Sequence, residues 1–224
     1  MKKFQKILYL LFILNILTAF VYACSLKGQA NRPDNSVYLS ELERGVVEEL
    51  NLARTQPITY ARFLTDYAKL FVGRQLREPG ETTIMTNEGR SAVDEAIGFL
   101  KNQKPLPNIT PSKGMSRAAA DMVRMQENTN QIGHAGRDGS SFSDRISRYG
   151  TWGGSCAENI DYGYNNARRI VMALIIDDGV SNRGHRTNIF NPAFRRVGVA
   201  CGRHRTYNYM CVIDFAASYT EKKQ

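Results

Sequence analysis

The stretch from Ile170 to Ile176 is apolar at every position and lies inside a predicted helix, Ala167–Asp177. A helix that is apolar on all sides must be covered on several sides, because exposed apolar surface is unfavourable in water. The stretch therefore predicts a central helix enclosed by other elements. Polar signatures lie on both sides of it along the chain, around His134, Glu158 and His185.

The N-terminus has the pattern of an export signal. Three lysines precede an apolar run from Ile7 to Ala23, and the run ends in Val21-Tyr22-Ala23. A basic segment followed by an apolar run and small residues is typical of a secretory signal peptide. We expect residues 1–23 to be removed and the protein to be extracytoplasmic, since the run is short and too interrupted for a spanning helix.

Cys24 would be the first mature residue, and its surroundings resemble a bacterial lipoprotein signal in which that cysteine is acylated. Tyr22 is bulky for that pattern, so two alternatives stay open. A lipid on Cys24 would tether the protein to the membrane of the cell envelope, whereas simple cleavage would release it. Residues 24–40 are rich in Gly, Asn, Pro and Ser and are predicted to be a tether.

The formal net charge is +9, and removal of residues 1–23 would lower it to +6. Such basicity favours anionic surfaces, such as lipid head groups or envelope polymers. The Lys and Arg residues are spread along the chain rather than clustered, so we expect no nucleic-acid partner.

The remaining cysteines agree with export. Cys201 and Cys211 flank a turn-like segment between two strand-like runs, so we expect them to form a disulfide across a hairpin. An oxidising compartment would permit that bond. Cys156 is left over, and without lipidation Cys24 becomes a partner for it.

The spacing of apolar residues predicts one domain with a mostly helical first half. The first two predicted helices of that half are Glu41–Gln56 and Ile58–Phe71. A third is marked by Ala92, Ala96, Ile97 and Leu100, with Asn87 as its N-cap, and a fourth is predicted to begin at Thr110-Pro111. The second half is predicted to contain a helix at Phe142–Tyr149 and strands at Ala157–Tyr162, Val197–Cys201 and Tyr209–Ala216.

His134, Glu158 and His185 are the candidate site residues, because imidazole and carboxylate groups bind divalent metals and transfer protons near neutral pH. No pair has the i, i+4 spacing of a specific metal motif, so spacing alone leaves open that they are turn and strand-end residues. His204, in the predicted hairpin turn, is expected to be exposed. Ser140 and Ser141 are interpreted as turn residues, since nothing supplies an oriented catalytic triad.

At these signatures the chain resembles the CAP superfamily, which contains cysteine-rich secretory proteins, antigen 5 and pathogenesis-related proteins, and it is closest to the bacterial secreted branch. The resemblance is carried by Glu49-Leu50-Asn51 with Arg54, Asp121-Met122, Gly133-His134, Asp138-Gly139-Ser140-Ser141, Ala157-Glu158-Asn159-Ile160, Gly184-His185-Arg186-Thr187-Asn188-Ile189 and Val197-Gly198-Val199. It implies an α/β fold, a single-domain α-β-α three-layer sandwich over residues 41–219, with a short tail at 220–224.

The resemblance also implies a cleft with two histidines, His134 and His185, that can hold a divalent ion such as zinc, and Glu158 as one of two nearby acids. The second acid of the family does not carry over cleanly, and the candidates for it are Asp138, Asp177 and Asp178. Arg186, in the second histidine motif, is expected to support the cleft wall or to pair with a carboxylate.

Two functions fit this site. In the first, the protein binds a lipid-like or cell-envelope ligand, or acts through protein contacts, while the metal orders the site. In the alternative, it is a metal-assisted peptide hydrolase in which zinc on His134 and His185 polarises a water and Glu158 is the general base. The missing second acid makes binding the preferred hypothesis.

Overall fold

A computed structural model describes residues 38–223. The predicted signal peptide, the predicted lipidation site at Cys24 and nearly all of the predicted tether lie outside these residues. Between residues 38 and 223, no helix has both the length and the apolar character needed to cross a membrane.

The predicted helices and strands occur in the predicted order, together with one short helix and four short strands that were not predicted. The helices are α1 Glu41–Thr55, α2 Pro57–Ala68, α3 Arg90–Asn102, α4 Lys113–Gln126, α5 Phe142–Tyr149, α6 Ala167–Ile176 and α7 Gly184–Ile189. The strands are β1 Phe71–Val72, β2 Gln75–Leu76, β3 Ile84–Met85, β4 Thr110–Pro111, β5 Gly150–Tyr162, β6 Arg196–His204 and β7 Asn208–Glu221. Strand β7 thus includes residues 220 and 221, which the resemblance assigns to a tail.

The main sheet has the strand order β4-β6-β7-β5, which makes β7 a central strand and β5 an edge strand. Strands β5 and β6 pair antiparallel with β7, and β4 pairs parallel with β6. Successive side chains along a strand point to opposite faces, so this register decides which residues meet. Glu158 on β5 lies directly opposite Asp214 on β7.

Helices cover both faces of the sheet. On one face, Ile160 and Val212 pack with Met122 of α4. On the other, Ile213 and Phe215 belong to the large core formed with α1, α2, α3 and α6. This is the α-β-α three-layer sandwich expected from the sequence. Helix α6 is enclosed as predicted, since it contacts α1, α3, α7 and β5 and most of its side chains are buried.

The predicted start of the fourth helix is wrong. Thr110-Pro111 forms β4, and α4 begins at Lys113 with Ser112 as its N-cap. The backbone N–H groups of Thr110 and Ser112 donate to carbonyls of Arg195 and Val197. Pro111, which has no N–H, falls at the position between them where the parallel ladder needs no donor.

Other boundaries also differ from the prediction. Strand β5 begins at Gly150 rather than Ala157, and β7 continues to Glu221 rather than ending at Ala216. Helix α2 ends at Ala68, and the chain continues into a small β1-β2-β3 meander instead of extending the helix to Phe71. Helix α3 has Gly89 as its N-cap rather than Asn87. Gly89 has a φ of 70°, a left-handed conformation that favours glycine.

The predicted hairpin disulfide is confirmed, because Cys201 and Cys211 are bonded directly across β6 and β7. Cys156, on β5, is a free and partly buried thiol. The prediction of an exposed His204 is wrong, since this residue is 2% exposed. Its Nε2 bonds the carbonyl of Gln131 at 2.8 Å, and its Nδ1 accepts from backbone N–H groups in the hairpin turn.

Candidate functional site

Edge strand β5 connects the two histidine segments. Glu158 and Asn159 are neighbours on this strand and therefore point to opposite faces of the sheet. The Asn159 side chain donates to the backbone carbonyl of His185 at 3.0 Å and accepts from the Asn188 side chain at 2.8 Å. These bonds hold α7, which carries His185, against the strand that carries Glu158.

His134 is oriented by a buried carboxylate. Its Nδ1 lies 2.9 Å from Oε1 of Glu158, whose side chain is 0% exposed, whereas the His134 side chain is 49% exposed. The guanidinium of Arg145, also fully buried, donates to the other Glu158 oxygen at 2.6 Å. Arg145 further donates to the carbonyls of His134 and Ser140, at 3.2 and 3.0 Å. One arginine therefore fixes both the acid and the loop that carries the histidine.

His185 has an equivalent partner in Asp177. The His185 Nδ1 lies 2.7 Å from Oδ1 of Asp177, and the backbone N–H of His185 donates to Oδ2 at 2.9 Å. Asp177 is the residue that ends α6, with a φ of 58°, and its side chain is almost fully buried. Of the three acids that the sequence left open, Asp177 is the one that contacts a histidine.

The other two acids have bonds elsewhere. Asp178 accepts from the backbone N–H groups of residues 87–89, at 2.7 to 3.2 Å, and so caps the start of α3. Asp138 accepts from Ser140 and pairs with Arg148 at 2.6 Å. The Ser140 hydrogen bonds, together with Arg148, hold the pKa of Asp138 well below its ordinary value. Asp138 therefore stabilises the loop between His134 and α5 as an anion.

Two buried arginines support the wall around His185. Arg186 donates to carbonyls at the end of α6 and forms a two-bond ion pair with Glu95 of α3, at 2.6 and 2.8 Å. Arg54 of α1 donates to the carbonyls of Ile189 and Asn191 at the end of α7. Helix α7 is thus fixed to α1, α3 and α6, and His185 has a rigid base.

The hydrogen bonds determine which ring nitrogens are available. A carboxylate accepts hydrogen bonds, so in the neutral form of each ring the proton lies on Nδ1 and the free lone pair lies on Nε2. Over residues 38–223, neither Nε2 has a hydrogen-bond partner. Within the same range, no three His, Cys, Asp or Glu side chains are grouped to hold a metal. A closed structural zinc site, which needs four protein ligands, is therefore not formed by the described residues.

Sequence reasoning missed Arg145 and Asp214. Asp214 lies within the continuously buried part of β7, residues 210–216, whose other members are all apolar, so an acid inside an apolar run was the available signal. Burial raises the pKa of Asp214 well above its ordinary value, and the charge of Glu158 adds to the effect. Arg145 gave no sequence signal, because its role depends on contacts made only in the folded chain.

The sandwich fold, with two histidines presented at an edge strand by buried acids, is the architecture expected of an SCP-type domain. The cysteine-rich secretory protein family, CAP, matches residues 77–215, more than half of the chain, and the chain belongs to this family.

Two solved structures are similar to this chain. An outer surface protein from Borrelia burgdorferi is 16% identical with a TM-score of 0.42, and the match covers 50% of this chain and 78% of that one. An extracellular protein containing a SCP domain from Bacillus anthracis is 17% identical with a TM-score of 0.40, covering 57% of this chain and 37% of that one. No curated protein matches the chain.

Proposed function

We propose that this chain is an exported CAP-domain binding protein whose site holds a divalent cation, zinc by preference, on Nε2 of His134 and His185. The observation that supports this most directly is the pairing of each Nδ1 with a buried carboxylate. Metal-binding histidines commonly donate their other ring N–H to a carboxylate, which fixes the tautomer and raises the basicity of the ligating nitrogen. A bound cation would supply Lewis acidity between the two histidine segments.

The buried acids favour binding over hydrolysis. A general base must reach the water whose proton it takes. Glu158 is fully buried, and its oxygens are occupied by His134 and Arg145. Asp177 is equally enclosed by His185 and the backbone at the start of α7. Both acids therefore orient histidines, and neither is free to act as the base that the hydrolase hypothesis requires.

A surface on the β6–β7 turn supports an anionic ligand from the cell envelope, such as lipid head groups or an acidic polymer. The turn exposes Arg203, Arg205 and Tyr209 around a cleft of about 780 Å³, which Glu127 also lines, so the arginines outnumber the acid. His204 fixes this turn to Gln131, three residues before His134. Guanidinium groups recognise phosphate and carboxylate, and tyrosine suits a polar–apolar interface.

Export is supported by two independent features. The signal-like pattern of residues 1–23 would direct the chain out of the cytoplasm. The Cys201–Cys211 disulfide is characteristic of an oxidising compartment. Acylation of Cys24 would keep the protein at the membrane, next to the anionic surface proposed as its ligand.

Sedimentation of the mature protein with anionic vesicles, neutral vesicles and a soluble anionic polymer tests the ligand assignment. We expect binding to an anionic partner that weakens with salt and is strongly reduced in the R203Q/R205Q double variant. The matched control is R74Q/R77Q, which removes two arginines from the small meander. Absence of binding to every anionic partner, or equal loss in both double variants, would contradict the proposal.

A further inference from the structure

Asp214 is a fully buried acid beneath the candidate site. On the central strand β7 it lies directly opposite Glu158 of β5 on one side and Gly198 of β6 on the other. Helix α4 packs closely on Gly198, where a Cβ would come within 2.2 Å of the Met115 backbone. This close packing leaves Asp214 enclosed between the sheet and the helices, away from solvent.

An ionised Asp214 would have no partner for its charge. The groups that face it are Glu158, Arg145, the Cys156 thiol and the Tyr219 phenol. Burial raises the pKa of Cys156 to about 11 and raises that of Tyr219 well above its ordinary value, so both are neutral at physiological pH. The cation among these groups, Arg145, donates to Glu158, so an ionised Asp214 would be a buried charge without a hydrogen bond, which is strongly unfavourable.

A proton on Asp214 removes this charge. The oxygens of Glu158 already act as acceptors, since one receives a guanidinium N–H from Arg145 and the other contacts Nδ1 of His134. Among the described residues, neither oxygen of Asp214 receives a hydrogen bond. The ionised form of Asp214 therefore has no hydrogen bond to stabilise it, and the strand register places Glu158 directly beside it as an acceptor.

We propose that Asp214 is a neutral carboxylic acid that donates a hydrogen bond to the Glu158 carboxylate and thereby helps to position the acid that orients His134. Asp214 is thus a positioning residue of the site, acting through Glu158. The role at the site rests on the proposed function, whereas the location of the proton does not depend on any metal.

The protonation state of Asp214 should respond to a change at residue 158, which would not happen if Asp214 were a purely structural residue. In Glu158→Gln the carboxylate partner of Arg145 is lost, and Asp214 is a fully buried acid that remains close to that guanidinium. The proton should then leave Asp214, whose carboxylate would balance Arg145 in place of Glu158. The protonation state of Asp214 is therefore coupled to the charge at residue 158.

Infrared spectroscopy of the metal-free full chain tests the location of the proton. Asp161, another buried acid whose pKa is raised, to about 7, is first removed by Asp161→Asn so that it cannot contribute. In this background we expect the C=O stretch of a protonated carboxyl group at pH 8, and its loss on adding either Asp214→Asn or Glu158→Gln. A missing band in the parent, or a band that survives Asp214→Asn, would overturn the assignment.

Nitrogen-15 NMR of the His134 ring, also in the metal-free protein, tests the positioning role. Asp214→Asn keeps a donor to Glu158 and should retain the Nδ1–H tautomer, whereas Asp214→Val should shift the ring nitrogens towards a mixture of tautomers. Unchanged ring nitrogen shifts of His134 in Asp214→Val would refute the positioning role. An Asp214→Asn variant that folds but loses the Nδ1–H tautomer would also refute it. Neither the infrared nor the NMR experiment uses a metal. Both can therefore be interpreted even if the protein does not bind zinc.

Discussion

Asp177 accepts hydrogen bonds from both the ring Nδ1 and the backbone N–H of His185, at 2.7 and 2.9 Å. This carboxylate ends helix α6 and contacts the first turn of α7, so one side chain fixes the ring and the backbone of the same histidine. Glu158 orients the ring of His134 in the same way, but it does not bond the His134 backbone. Each of the two histidines is therefore oriented by a buried acid.

Asp177→Asn should weaken zinc binding by about 10–100-fold, the usual effect of removing the partner of a metal-binding histidine. The amide carries no charge, and its NH₂ group cannot accept the bonds that Oδ1 or Oδ2 now accepts. The control is Asp178→Asn, since Asp178 caps α3 and does not contact His185. Calorimetry would measure both, and equal losses would contradict a specific role for Asp177.

Arg145→Met should lower the free energy of unfolding by about 3–5 kcal/mol, because it leaves the Glu158 carboxylate buried without its cation. Arg148→Met is the matched control on the same helix. Arg148 is part-exposed and pairs with Asp121 and Asp138 near the surface, so its loss should cost about 1 kcal/mol or less. Urea unfolding at neutral pH would compare them, and similar costs would disprove the structural importance of the buried pair.

Asp161 should make the protein less stable as pH rises from about 4 to about 7. Burial raises its pKa from 3.8 to about 7, so across this range the folded state binds a proton that the unfolded state has lost. The loss in the free energy of unfolding is absent below the pKa of the unfolded state and grows as pH rises through this window. Above the window it is constant, at roughly 3–5 kcal/mol.

Urea unfolding of the wild type and Asp161→Asn between pH 4 and pH 8 isolates this contribution. The free energy of unfolding of the wild type should fall relative to that of the variant across the window. Groups other than Asp161 titrate in both proteins and cancel in the difference. A difference that does not vary with pH would show that Asp161 is ionised in the folded state throughout.

Local sequence signals were enough to predict much of the fold. Helix Phe142–Tyr149 appears within its predicted bounds, because its capping box and apolar spacing are local. The enclosed helix around Ile170–Ile176 followed from its apolar composition. Thr110-Pro111 was misassigned because its conformation is decided by pairing with β6, more than 80 residues away in the chain.

The site was only partly predictable for the same reason. His134, Glu158 and His185 could be singled out by residue type and motif. The choice of Asp177 over Asp178 depends on how the chain turns after α6, which directs one acid to His185 and the next to the start of α3. Arg145 could not be found at all, since a buried arginine on a short amphipathic helix resembles any exposed one in sequence.

Calorimetric titration of the metal-free protein with zinc tests the central claim most directly, with the wild type, His134→Ala, His185→Ala and the Asp178→Asn control compared. We expect one site of micromolar or tighter affinity that is lost in both histidine variants and retained in the control. Absence of binding, or binding that survives either histidine substitution, would show that the two Nε2 atoms do not share a cation.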